Sequence, residues 1–194
     1  MTIDKLPLKV GTRLLGIAES GVTGASSSIL CGVVIRSDLV IDGVIWDHVT
    51  IRGMDATQTI LRMLERLNRL DIRGIMLHGT VIAGYNIVDM TLLFEELSLP
   101  IISVTKQPQE NLKQHLLSTF PEDWSNRWVV AQRNGDIYPV VITDTTKMFV
   151  QCKGCELEDA KNIIKQFSRS TGLPEPIRVA RLLARAFVEQ TSQP

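Results

Sequence analysis

Two cysteines three positions apart, in Cys152-Lys-Gly-Cys155, carry the most reactive side-chain chemistry in this chain. A pair at that spacing suits half of a four-ligand zinc site or a dithiol that oxidises to a disulfide. The remaining donors for a closed zinc site are Cys31 and three scattered histidines, and two ordinary thiols are the plainer account of the pair. His78 follows a short apolar run, at the carboxyl end of an expected parallel strand, where α/β proteins bind ligands; a structural imidazole bonded to loop backbone fits there too. Asp55, three residues before Gln58, and Asp89, three after Asn86, have the spacing of helix capping boxes. Arg62, Arg66 and Arg69 recur at helical spacing, as do Arg178, Arg181 and Arg185. Either stripe can track phosphates with salt-dependent affinity, and ion-paired solvated faces produce the same pattern. No aromatic residues interleave with these arginines in the sequence, so the stripes do not read as a platform for stacking single strands.

The elements that must position these groups follow from periodicity. Arg13 to Ile17 reads as a buried strand. Ile29 to Arg36 and Leu39 to Ile51 are rich in Val and Ile, with Ser37-Asp38 as the hairpin turn between them. Ile60, Leu61, Leu64 and Leu67 then recur at helical spacing after Asp55. Ile75 to Leu77 is a strand, a helix runs from Asn86 through Leu97, and Ile101 to Val104 is another strand after Pro100. Alternation of strand and helix here implies parallel pairing through crossovers. Trp128 to Gln132, Tyr138 to Thr143 and Met148 to Gln151 read as strands. Helices over Leu157 to Ser168 and Ile177 to Glu189 close the chain, the last opened by Pro174 and Pro176. Its arginines face away from Val179, Leu182, Leu183 and Ala186.

Composition bounds the classes of function. With 194 residues, 44% apolar and 22% charged, the chain fits one globular α/β domain over residues 1–194. Lys plus Arg equals Asp plus Glu, 21 each, so no global field draws it to nucleic acid or membrane, and any such affinity must be local. There is no bilayer-length apolar run and no secretory leader, so no membrane partner is expected. Three cysteines suit a reducing compartment, and the cytoplasm is the expected location.

Several stretches, taken together and in order, resemble the archaeal endonuclease dU family, a relative of endonuclease V. They are Leu14-Leu-Gly-Ile17, Asp42-Gly-Val, Gly53-Met-Asp-Ala-Thr57, Ala83-Gly-Tyr-Asn-Ile-Val-Asp89, Leu99-Pro-Ile and Pro174-Glu-Pro-Ile-Arg-Val-Ala180, spread from about residue 13 to about residue 186. The resemblance implies a single RNase H-like domain, three antiparallel strands leading into parallel strands, with helices on both faces. It also implies Mg- or Mn-dependent cutting of DNA beside a deaminated base such as uracil.

That chemistry requires hard oxygen ligands converging on a dication, and here the chain departs from the family. Where the family reads Gly-Ile-Asp-Asp, this chain has Gly16-Ile17-Ala18-Glu19; where it reads Met-Leu-Asp-Gly, this chain has Met76-Leu77-His78-Gly79. Adjacent strand residues face opposite ways, so Glu19 does not replace an acid lost at Ala18. Arg52 stands where the family often has Asp, and Arg181 where it commonly has His. Asp55 and Asp89 match. Glu19, Asp55, His78 and Asp89 are therefore the candidate catalytic remnants, no metal site is assigned, and Arg52, Arg62, Arg66, Arg178, Arg181 and Arg185 are candidate contacts to DNA. Three readings follow. The first is a family member that has lost metal-dependent cleavage and keeps a nucleic-acid- or partner-binding role. The others are an active endonuclease using a rearranged Mg or Mn site, and a structural partner of a catalytic paralogue or of its own copies.

Overall fold

An antiparallel meander opens the chain: β1 (Arg13–Gly21), β2 (Ser27–Arg36) and β3 (Ile41–Thr50). The computed structural model describes residues 9, 11–21, 24–143, 146–169 and 172–191. After the meander come α1 (Ala56–Leu67), β4 (Ile72–Leu77), a hairpin of β5 (Val81–Ile82) and β6 (Asn86–Ile87), α2 (Met90–Leu97) and β7 (Ile101–Thr105). Then follow α3 (Leu112–Thr119), α4 (Trp124–Arg133), β8 (Tyr138–Thr143), β9 (Thr146–Lys153), α5 (Leu157–Gln166) and α6 (Glu175–Thr191).

Seven strands form one sheet in the order β3-β2-β1-β4-β7-β9-β8. β1, β4 and β7 are parallel, while β9 runs antiparallel to β7 and pairs with β8. The expected antiparallel-then-parallel RNase H-like order is present, extended by an antiparallel hairpin. Every residue from Ser28 to Ile35 is buried, as an apolar strand covered on both faces must be. Alternation on β1 divides the core. Leu14 and Ala18 join one apolar cluster with Ile163, Phe167 and Ala180 of the α5–α6 side. Leu15 and Ile17 join a second with Ile60, Met63 and Leu93 of the α1–α2 side. Gly16 lets the two backbones meet, because a Cβ there would fall 2.3 to 2.4 Å from Pro176 in the first turn of α6.

Three expectations need correction. The helix expected from Asn86 begins only at Met90, because Asn86–Ile87 pairs with Val81–Ile82 as a short strand. Trp128 to Gln132 is not a strand but lies within α4; the place beside β7 is taken by β9. Leu182 is 52% exposed and Ala186 is exposed; α6 buries Ile177, Ala180 and Ala184 instead. Among the described residues, no helix is long and apolar enough to cross a membrane.

Candidate functional site

At the carboxyl ends of β4 and β7, a cleft of about 970 Å³ is lined by the sheet, α6 and the α3–α4 segment. His78 follows β4 directly, and its backbone N–H bonds the Ile17 carbonyl at 2.9 Å. Gly79 turns the chain away at φ +77° and bonds the Val104 carbonyl at 3.1 Å. The backbone at His78 is therefore tied to β1 and β7. Burial lowers the imidazole pKa below the ordinary histidine value, and the Arg181 guanidinium pushes in the same direction.

Glu19, on β1, enters the same cleft but already accepts a hydrogen bond from the Ser28 hydroxyl across the hairpin. Ala18 is 2% exposed and belongs to the apolar cluster on the α6 side. Deeper in, Thr80 donates to Gln151 Oε1 at 3.3 Å, and Gln151 Nε2 donates to the Gly135 carbonyl at 2.8 Å. Across from the sheet, the Lys113 ammonium sits 5.9 and 5.7 Å from the Trp124 and Trp128 ring centres, within reach of weak cation–π attraction.

The other two acids are elsewhere, and neither lines the cleft. Asp55 does not cap α1 with its side chain. Its carboxylate accepts from the Thr50 hydroxyl at 2.7 Å, the Thr50 amide at 3.2 Å and Asn86 Nδ2 at 2.6 Å. Burial alone would raise its pKa, but the bonds from Thr50 and Asn86 hold it below the usual aspartate value. Asn86, fully buried, is no capping-box residue of α2. It accepts from the Ala56 amide at 3.1 Å and so caps α1 from a distance, while also donating to the Thr50 carbonyl. Asp89 is itself the N-cap of α2, accepting from the Leu92 amide at 2.9 Å, and its second oxygen pairs with Arg133 at 3.1 Å. Both aspartates hold structure.

The arginines divide similarly. Arg62 and Arg66 both pair with Asp47 of β3, at 3.0 and 3.1 Å. Arg178 pairs with Glu175 at 2.7 Å. All six are exposed, but among the described residues Arg52, Arg181 and Arg185 make no ion pair; Arg52 instead lies 5.4 Å from the Phe120 ring centre, and of the six only Arg181 lines the cleft. Arg52 has φ +62°, a left-handed backbone costly for a non-glycine residue.

What stabilises that loop is Arg127 of α4, a side chain 5% exposed that the sequence reading passed over. It donates to the carbonyls of Arg52 (2.9 Å), Gly53 (2.8 Å) and Tyr85 (2.9 Å). It also pairs with Asp123 at 2.9 Å and sits 3.8 Å from the Phe120 ring centre. The Asp123–Arg127 spacing of four residues was the available signal, hidden by reading the segment as a strand.

Among the described residues, no three His, Cys, Asp or Glu side chains converge as metal ligands. Glu19 and His78, with Arg181 beside the imidazole, do not fit a hard dication that demands several oxygens. The cleft instead offers a guanidinium, an ammonium, an imidazole and amide groups, which suit phosphate oxygens and base edges.

The endonuclease dU family model matches residues 10–188. A UPF0215 protein of Methanosarcina barkeri is 33% identical over 190 residues, covering 97% of this chain and 96% of its own. One from Methanopyrus kandleri is 35% identical over 190 residues, covering 95% of each chain. Among solved structures, a protein of unknown function from Archaeoglobus fulgidus superposes with a TM-score of 0.79 at 24% identity, covering 91% of this chain and 98% of its own. Ciona intestinalis endonuclease V, bound to a 24mer DNA containing an inosine followed by a ribo-adenosine, superposes at 0.69 with 17% identity, covering 97% and 90%. The endonuclease V likeness is one of fold.

Proposed function

Because this chain belongs to the endonuclease dU family, we propose that it is a member that binds nucleic acid at the β4–β7 cleft and no longer performs metal-dependent cleavage. The observation that carries this reading is that His78 and Arg181 line the cleft together, where the family's chemistry calls for converging carboxylates. A fixed guanidinium repels a dication and attracts a phosphate. Arg181, with Arg185 one turn further along α6 and Arg52 at the α4-clamped loop, supplies exposed positive charge for a backbone. Glu19 contributes a single carboxylate that is already hydrogen-bonded to Ser28.

The test measures binding and nicking of labelled uracil- and hypoxanthine-containing duplexes in Mg, Mn and Co. Expected are salt-sensitive binding, weakened about tenfold by Arg181→Glu, equivalent to about 1.4 kcal/mol, and no nicks in any ion. Nicking abolished by Glu19→Ala would replace this reading with that of an active endonuclease. Absence of any nucleic-acid affinity would leave the partner-subunit role. An Ala18→Asp, His78→Asp double variant tests the lost-ligand premise, and metal-dependent nicking is the expected gain. Since Ala18 is buried among apolar groups, that variant should also be stabilised by added Mg or Mn, read as a rise in Tm.

A further inference from the structure

The sheet ends at β3, and among the described residues no strand lies beyond it. Edge strands commonly carry lysine, proline or a bulge that blocks pairing with another chain. The opposite edge, β8, contains Pro139. β3 contains neither lysine nor proline. Its irregularity is a register shift beside Gly43, where Asp42 has no opposite residue on β2.

From Gly43 onward the register is regular, so backbone groups alternate between β2 and the open edge. The Ile51 amide donates to the Ser26 carbonyl at 3.0 Å. That parity turns the odd-numbered amides inward and those of Val44, Trp46, His48 and Thr50 outward. The last two are already taken. The His48 amide donates to Asp47 Oδ1 at 2.8 Å, and the Thr50 amide to the Asp55 carboxylate at 3.2 Å. Val44 and Trp46 keep outward amides with no acceptor among the described residues. Both side chains are exposed, and the Trp46 ring rests beside Phe187 of α6 with 5.6 Å between ring centres. A supported, exposed tryptophan next to unpaired backbone is what an interface anchor looks like.

We propose that this edge pairs with a second copy of the chain, β3 antiparallel to β3, about a twofold axis between the two Ile45 residues. In that register Val44 lies opposite Trp46 of the second copy, and Trp46 opposite its Val44. Each of these pairs exchanges both backbone bonds, so every available outward amide finds an acceptor. Gly43 comes opposite Asp47 of the second copy and, having no side chain, leaves room for that carboxylate. A Cβ on Gly43 would lie 3.4 Å from the Arg69 guanidinium, so the incoming acid approaches a cation, one that Asp42 and Asp71 already share. Moving the axis to Trp46 would require the His48 amide that Asp47 occupies. An axis at Asp47 would set two carboxylates directly opposite each other. Self-pairing of one strand closes the assembly as a dimer and joins the two sheets edge to edge. The pairing is independent of what the cleft binds.

A strand pair with its flanking side chains is at the small end of interface size, so association is expected between about 1 μM and about 1 mM. Sedimentation of the full-length protein over that range, in reducing buffer, should show a reversible monomer–dimer equilibrium. Val44→Pro removes one outward amide without touching the β2 ladder, and Val44→Lys places a charge on the edge. Each should weaken the dimer at least about tenfold, as devices that protect natural edges do. In the wild type, amide exchange followed by NMR should slow at Val44 and Trp46 as concentration rises, with Thr50 unchanged, which keeps the idea decidable if a variant fails to fold. A chain that stays monomeric throughout would leave the edge to a strand of another protein and overturn the self-pairing. So would a dimer that both substitutions leave intact, or concentration-dependent protection on β8 in place of β3.

Discussion

Arg127 shows how much structure one side chain can organise. Three carbonyls from two loops, one carboxylate and an aromatic face converge on its guanidinium. Arg127→Met should therefore cost about 3 kcal/mol or more in urea unfolding, because it leaves buried acceptors unpaired. Arg127→Lys should fall between, since one ammonium cannot reproduce the planar fork. His78 gives a pH prediction. Its folded pKa lies below the unfolded value of about 6.5, so the unfolded chain binds the proton more readily. The stability tied to neutral His78 is complete above pH 6.5 and is lost as pH falls through the lower folded pKa. His78→Asn should flatten stability across that window. Arg181→Gln should raise the His78 pKa in an NMR titration, but only partway, because burial is the larger cause. Asp55 and Asp89 explain why residue roles were hard to assign from sequence. Their spacing to Gln58 and Asn86 suggests local capping, but Asp55 is satisfied by Thr50 and by Asn86, 31 positions away. Only the tertiary structure brings such partners together.

Elements were more legible than their partners. The meander, the α1, α2, α5 and α6 helices and the buried parallel strands follow from periodicity, since each buries a continuous apolar face. The run Trp128-Val-Val-Ala131 resembles a strand because its residues have high β propensity. Its context decides otherwise, with Arg127 anchoring the segment as a helix and Val129 left 54% exposed. The β5–β6 hairpin is too short for periodicity to register. Contact between β1 and α6 leads to a prediction at this scale. Gly16→Ala would drive a methyl into the Pro176 backbone, and overpacking of this kind costs about 1–3 kcal/mol. Thermal unfolding should show a lowered Tm, whereas Gly11→Ala, with open space around it, tests only backbone strain at φ +89°.

At the scale of the whole molecule, a formal net charge of zero means that the nucleic-acid affinity proposed above would depend on a few placed cations. If Arg52, Arg181 and Arg185 are those contacts, the log affinity should fall with log salt at a slope of about −3, from roughly 0.9 per phosphate. Neutralising Arg62 and Arg66 together should leave that slope unchanged, because Asp47 already holds both; a shallower slope in that double variant would move the interface to α1. The antiparallel order was readable from the sequence, but the seven-strand width was not, because β9 joins β7 only through pairings distant in sequence. The seating of Pro176 against Gly16 also has a bearing on biosynthesis. β1 is translated well before α6, so its α6 face stays uncovered until the chain has been made past Pro176. A chain that stops before α6 would therefore leave Leu14, Ala18 and Val33 as an uncovered apolar surface, prone to association.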